Sequence, residues 1–447
     1  MNAPSPPPRY VVTNARVLAI AIPMTLANIT TPLIGVVGSA VIGRLGQAHL
    51  LGAVAMASIV FDCMFWLFAF LRMGTLALTA QALGRRDLAE ERATLMRALL
   101  ISAATGLMLI LLQVPLSAII FLLMGASPEV TAAAKTYFVV RIWSAPFVLA
   151  NLVLLGWVVG LARAATALLL QIAINLINVG VTALLVLHYD FGVAGAAAGA
   201  LAGEGIGTVA GLIVAIRVVG AQLPDRALIF DRARLLRLLV VNRDIFIRTA
   251  ALIIAWGFFA AQGARSGDTI LAANSVLHNL VLVGAFFTEG FASAAQQLCG
   301  RAVGAHDGIG FSRAVRLSIG WGFGFGAAAT LTLLAFGPAL IDLMSASPEV
   351  RVAARSYLVY AAISSVIGVF AFAYDGIYIG ATWTREIRNL MVVALALYLA
   401  TWWLTLPIGN TGLWIAILVF FGARGALQGA WYPQLVRRTF KPATARP

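Results

Sequence analysis

Charge is scarce in this sequence. Only 11% of its 447 residues are Asp, Glu, Lys or Arg, and 61% are hydrophobic, whereas a soluble globular chain carries about 25% charged residues. That deficit excludes an ordinary water-soluble protein. Cysteine is nearly absent: Cys63 and Cys299 are the two thiols, too few for a disulfide framework or a metal cluster, and both fall in or beside apolar runs where they read as packing residues. His278 has no second histidine close in sequence and reads as an interior histidine rather than a ligand. There is no Gly-x-Ser-x-Gly, no His-Glu-x-x-His and no P-loop. Gly322, Gly324 and Gly326 resemble a phosphate loop only in spacing, inside an uncharged span with no strand before it. These absences argue against an enzyme and against an ATP-driven pump, and no cofactor is expected.

What fills the chain is apolar. Spans are expected at 17–40, 50–72, 98–123, 136–160, 166–187, 192–217, 245–264, 270–298, 315–341, 353–380, 389–408 and 412–433, each near the roughly 20 residues that cross a bilayer as a helix. The net charge of +14 then reads as topology rather than as a nucleic-acid surface. The termini and even-numbered connections hold 23 of the 31 Lys and Arg residues, the odd-numbered connections six. By the positive-inside rule both termini face the cytoplasm. The expectation is a multi-pass protein of a bacterial-type inner (plasma) membrane. The proline-rich start, Met1 to Pro8, reads as a disordered tail without a cleavage site after it, so the first apolar segment is expected to be retained.

An internal repeat organises the spans. Met124-Gly125-Ala126-Ser127-Pro128-Glu129-Val130 returns as Met344-Ser345-Ala346-Ser347-Pro348-Glu349-Val350, an offset of 220 positions. The same offset pairs Gly84 with Gly304, Asp87 with Asp307, Tyr137 with Tyr357, Ser144 with Ser364, Gly156 with Gly376 and Gly160 with Gly380. A register held over so many positions indicates duplication. Six spans per half is an even number, so the halves run parallel, with substrate expected at their interface. The division reads as a tail (1–16), a first six-helix lobe (17–219), a cytoplasmic linker (220–244), a second lobe (245–433) and a basic tail (434–447). Gly195, Gly199, Gly203, Gly207 and Gly211 recur every four residues, the spacing of closely packed helices.

Ionisable groups within spans are costly unless they face a cavity or a partner. Four acids qualify: Asp62, Glu204, Glu289 and Asp375. Such carboxylates are candidates for binding H⁺, Na⁺ or an organic cation, and competition among these ligands gives exchange. Arg72 and Arg424 read as snorkelling to the interface. Asn28, Thr30 and Thr31 lie between Pro23 and Pro32 on the first span, a bending helix with polar groups and hence a candidate gate. Asn175 and Asn178 share a face of the fifth span, with Thr182 one turn on; Gln296 and Gln297 lie on the eighth.

These residues carry a family resemblance. Phe61-Asp62-Cys63-Met64-Phe65-Trp66, Phe70-Leu71-Arg72-Met73-Gly74-Thr75 and Thr79-Ala80-Gln81-Ala82-Leu83-Gly84 resemble the second span of multidrug and toxic compound extrusion (MATE) transporters, and within them the DNA-damage-inducible protein F branch. Asn242-Arg243-Asp244, Leu271-Ala272-Ala273-Asn274-Ser275-Val276-Leu277 and Asp375-Gly376-Ile377-Tyr378-Ile379-Gly380-Ala381-Thr382 are similar to the same branch in the second half. The resemblance implies an all-α membrane protein of twelve transmembrane helices in two parallel-repeat six-helix lobes forming a V. It also implies export of amphipathic compounds by exchange for H⁺ or Na⁺, with Asp375 on the acid of the second-lobe cation site.

Departures are specific. Val37-Gly38-Ser39-Ala40-Val41 stands where the branch has Val-Asp-Thr-Ala-Val, Thr182 stands where the fifth span has Asp, and Glu289-Gly290 and Gln296 replace Asp-Gly and a later Glu. The first lobe thus lacks two family carboxylates. Either Glu204 substitutes for them, or coupling rests on Asp375 and Glu289, or the carrier is uncoupled; the second reading is preferred, since those acids align. Candidate coupling residues are therefore Asp375, Glu289, Glu204 and Asp62. Candidate cavity residues are Asn28, Thr31, Asn175, Asn178, Thr182, Gln296 and Tyr378, with Pro23 and Pro32 as the gate.

The function expected is a monomeric secondary exporter of amphipathic, cationic compounds, with membrane lipids and these small molecules as its partners and no nucleic acid. The alternatives are a flippase for a lipid-linked anionic glycan, which basic cavity residues would favour, and a degenerate, non-transporting scaffold.

Overall fold

The computed structural model describes residues 10–44, 48–125, 127–220, 222 and 224–440. In the first half, α1 (Asn14–Gly43) is followed by α2 (Ala48–Leu67) and α3 (Phe70–Arg85), which share one crossing. Next come α4 (Leu88–Leu111) with its extension α5 (Gln113–Met124), then α6 (Pro128–Arg141) and α7 (Ala145–Gly160), joined by a 3-10 turn at Ile142–Ser144. α8 (Ala164–Leu187) and α9 (Gly192–Val219) complete the lobe, and a short α10 (Arg226–Ile229) leads into the second half. There α11 (Arg232–Arg265), α12 (Asp268–Gly304), α13 (Gly308–Met344), α14 (Pro348–Gly380), α15 (Thr384–Leu404) and α16 (Asn410–Phe440) are long single helices. Ten segments are apolar and long enough to cross a membrane. With α1 and the arginine-rich α11, the described residues make twelve crossings, six per lobe.

The helices outrun the expected spans. The eighth reaches from Asp268 to Gly304 rather than from 270 to 298, and the third starts at Leu88 rather than 98 before breaking at Leu112. The expected linker 220–244 is already helical from Arg232, and the expected tail beyond 433 remains helical to Phe440. The reason is that a helix leaving hydrocarbon keeps its backbone hydrogen bonds in water, so its polar turns continue it while hydropathy marks only the apolar part.

The duplication is carried by local chemistry. Asp87 and Asp307 cap α4 and α13, each accepting from a backbone N–H three residues on, at 3.0 and 2.9 Å. Ser127 and Ser347 do the same for α6 and α14. Left-handed residues recur at the same offset: Arg86 with His306, and Ala162 with Thr382. Each closes a helix and turns the chain into the next.

Glycines then set the helix spacing. A Cβ on Gly156 would lie 2.3 Å from the carbonyl oxygen of Arg72, and one on Gly376 2.2 Å from that of Ala292, again 220 residues on. Gly199, Gly203 and Gly207 bring α9 against Thr182, Asn178 and Ile174 of α8, the packing role expected of this stripe.

One hydrophobic core joins the first lobe to the half of the second that carries the chain termini, through Val241, Ile245, Leu298, Phe311 and Ile377. A separate core, with Phe259, Leu277, Tyr398, Trp414 and Phe420, fills the other half of the second lobe alone. The lobes therefore meet at the terminal end and part toward the other, giving a V. Leucines such as Leu122, Leu343 and Leu404 on the outer faces are exposed, as lipid-facing residues must be.

Candidate functional site

Polar side chains gather in each lobe and at the seam between them. In the second lobe Asp375 of α14 is buried and fully engaged. Its Oδ2 accepts from Arg248 of α11 and, at 2.6 Å, from Arg424 of α16, while Oδ1 accepts from Gln428 at 2.9 Å. Arg424 is 1% exposed and lies 5.4 to 5.7 Å from the rings of Phe372, Phe420 and Phe421. It does not snorkel: its charge is held by a carboxylate and aromatic faces. Arg248 is likewise buried, at 4% exposed. Among the described residues, Arg248 Nε and Arg424 Nε and Nη1 have no hydrogen-bond partner.

At the seam, Arg72 of α3 donates to Glu289 of α12 at 3.1 Å, both half-buried. The expectation that Arg72 merely snorkels is thus also corrected. Glu289 is close enough to act electrostatically on Arg248 and Arg424. Three arginines and two acids make this region net positive by one charge, although the sequence showed it chiefly as acids in apolar spans.

In the first lobe the polar groups packed against Glu204 are neutral amides and hydroxyls. Its Oε2 accepts from Asn151 Nδ2 of α7 at 2.7 Å, and its carbonyl accepts from Asn151 and Thr208. Arg141 acts on it electrostatically. Asn175 donates to Thr30 of α1 at 3.0 Å and accepts from Gln171, and Thr182 donates to Asn178. Asn28 has a buried Nδ2 with no partner among the described residues. Asp62 is exposed and, among the described residues, has no hydrogen bond or ion pair. Cys63, expected to pack, is exposed too.

Two expected cavity residues are placed elsewhere. Gln296 is buried and donates to the Met73 carbonyl at 2.6 Å, binding the lobes together. Tyr378 is wholly buried, donating to the Gln428 carbonyl. Both point into contacts because their helices pack at the closed end of the V. α1 runs unbroken through Pro23, and the side chains of Thr31 and Pro32 lie outside the described residues. Sequence reasoning missed Arg248, Gln428 and Asn151. Asn151 was visible as a lone amide in an apolar run; Arg248 was hidden by its place beside the arginine-rich linker.

Further contacts join the lobes, two of them accepted by the glycine carbonyls of Gly160 and Gly380, 220 positions apart. Gln81 donates to the Gly380 carbonyl and accepts from Arg237, and Gln297 donates to the Gly160 carbonyl. Thr25 of α1 sits against Gly290 of α12.

Two six-helix lobes that cross a membrane, with amides and ion pairs at their seam, define a polytopic membrane protein of transporter architecture. The family is then settled by comparison: the MatE model matches residues 23–184 and 251–404, and the chain belongs to the MatE family. It is 35% identical over 419 residues to the DNA damage-inducible protein F of Escherichia coli K12, covering 92% of this chain and 90% of that one. The multidrug export protein MepA of Staphylococcus aureus is 25% identical over 179 residues, 40% of each chain. Among solved structures, a MOP superfamily transporter from Pyrococcus furiosus, described by the reverse polarity of its binding pocket, superposes with a TM-score of 0.87 at 19% identity over 96% of this chain and 97% of that one. An outward-facing MATE transporter gives 0.86 at 20% identity over the same shares.

Proposed function

We propose that this protein exports amphipathic, cationic compounds across the inner membrane in exchange for protons, by alternating access, with exchange centred on Glu204. With both termini in the cytoplasm, the closed end of the V is cytoplasmic and the arrangement faces outward. One observation carries the choice of Glu204. Its side-chain hydrogen-bond partner is a neutral amide, and Arg141 acts on it without an ion pair among the described residues, whereas Asp375 is held by two arginines and Glu289 by one. A proton arriving at Asp375 would strand two buried guanidiniums, and a Na⁺ there would meet net positive charge. At Glu204 a proton and an organic cation can compete for one carboxylate. Na⁺ suits this site less, because a hard cation calls for several oxygen ligands, and Asn151 presents an N–H.

The test is uptake of a fluorescent organic cation into proteoliposomes under an imposed ΔpH or Na⁺ gradient. ΔpH-driven uptake that is lost in Glu204→Gln supports the reading. Undiminished uptake in that variant, or dependence on Na⁺ alone, overturns it. One specific observation favours a second reading, a flippase for a lipid-linked anionic glycan: the excess positive charge of Arg72, Arg248 and Arg424 over Glu289 and Asp375 suits an anionic group. Translocation of a fluorescent anionic lipid with no cation flux would move the assignment there.

A further inference from the structure

At the terminal end a cavity of about 240 Å³ opens between the lobes. The first lobe supplies Arg85, Glu90 and Arg97, the second Arg234 and Arg237, with Leu78 and Leu238 as apolar walls. Glu90 is spoken for: it accepts from Arg97 at 2.5 Å and from Arg234 across the seam. Asp87, also at the wall, uses Oδ1 to cap α4. Among the described residues no ion pair joins Arg85 or Arg237 to an acid, and Arg237 donates only to the neutral Gln81. Arg237 feels Arg85 as a like charge and, more weakly, Glu90 as an opposite one.

Four guanidiniums and two carboxylates leave two positive charges in one pocket. Guanidinium forks match phosphoryl oxygens bidentately. On α11, which supplies Arg234, Arg237 and Leu238 to the cavity, and just before it, Phe230, Leu236, Leu239 and Val240 present exposed apolar side chains, a surface along which an acyl chain can lie. We propose that this cavity binds a phosphoryl group, and that the bound group holds the two lobes together at this end. The second half of the statement follows from the lining: a ligand bridging Arg85 and Arg237 is bound fully only while the lobes touch, so it stabilises that arrangement.

A phosphoryl group has two sources, a lipid headgroup and a soluble phosphate, and the experiment separates them. The purified full-length protein in detergent is titrated with phosphatidylglycerol, phosphatidylcholine, inorganic phosphate, or chloride at matched ionic strength, and its thermal midpoint is followed. A rise with phosphatidylglycerol beyond that with phosphatidylcholine assigns a lipid; an equal rise with inorganic phosphate assigns a soluble ligand. In Arg85→Gln/Arg237→Gln the apparent affinity should fall about tenfold or more, as expected for lost charge-assisted hydrogen bonds. Arg437→Gln/Arg438→Gln, which removes two exposed charges remote from the cavity lining, should leave it unchanged. Equal responses of wild type and both double variants, or a response to chloride alone, overturn the site. Should the first double variant fail to fold, Arg85→Lys/Arg237→Lys keeps the charge and removes the fork, and should bind more weakly. For the lobes, spin labels at Leu88 and Ile309, both exposed, in a Cys63→Ser/Cys299→Ser background, should shift toward their shorter separation as the ligand is added. No shift overturns the lobe-holding role.

Discussion

Gly84 and Gly304 stand 220 positions apart, and each is pressed against the helix that carries the other. A Cβ on Gly84 would lie 2.1 Å from the carbonyl oxygen of Arg301, and one on Gly304 2.0 Å from that of Gln81. Arg301 is itself 220 positions from Gln81. The seam between the lobes is therefore two-fold in its contacts, and it tolerates no side chain at either glycine while it is closed.

Alanine at Gly84 or Gly304 should consequently force the closed end apart. Overpacking of this kind costs about 1–3 kcal/mol, so the closed arrangement should lose stability by that order, with a lower thermal midpoint and a longer Leu88–Ile309 label separation. Gly38→Ala serves as the contrast, because a Cβ there meets nothing within 4 Å; it should change neither readout.

Asp375→Asn should destabilise the protein whatever its effect on transport. It leaves Arg248 and Arg424 buried without their counter-charge, a loss of about 3–5 kcal/mol for a broken buried pair. Adding Arg424→Gln to Asp375→Asn removes one of the stranded charges and should recover part of the thermal midpoint. A double variant no more stable than the single one would show that the pairing is not what Asp375 contributes.

Glu204→Gln should behave in the opposite way. Glutamine keeps an acceptor for Asn151 Nδ2, so stability should change by less than about 1 kcal/mol, while ΔpH-driven uptake falls to the passive leak. A circular-dichroism melt alongside the flux assay separates the two effects.

The Arg72–Glu289 pair bridges the lobes and keeps some exposure, 19% and 26% of its side chains, so by itself it should add about 1 kcal/mol. Its effect belongs to the equilibrium between closed and open seams. Arg72→Glu and Glu289→Arg should each place like charges across the seam and slow transport, and the combined exchange should restore part of it. A double-mutant cycle on uptake rates measures that coupling.

Much of the architecture is legible in the residues themselves. The Ser-Pro-Glu-Val repeat and the paired glycines imply two lobes, and the structure shows why those positions recur: Ser127 and Ser347 are caps, Asp87 and Asp307 are caps, and the glycines are contact points. The site was legible only in part. Asp375 and Glu289 were visible as acids in apolar runs, but their partners Arg248, Arg424 and Arg72 come from other helices. Arg248 stood at the edge of an expected span beside the arginine-rich linker and Arg424 was assigned to an interface, since one charge in a window carries no sign of which helix will face it.

What the sequence by itself determined is the number of crossings, the parallel duplication and the capping of the helices. These follow from apolar length, spacing and hydrogen bonding within a few residues along the chain. Only the tertiary structure decided which carboxylates are neutralised, that Gln296 and Tyr378 serve packing contacts, and that four arginines surround one cavity. Those outcomes depend on how helices rotate about their axes and on which neighbours meet across the seam. Such pairings are non-local, and burial gives them strength only once the helices have packed.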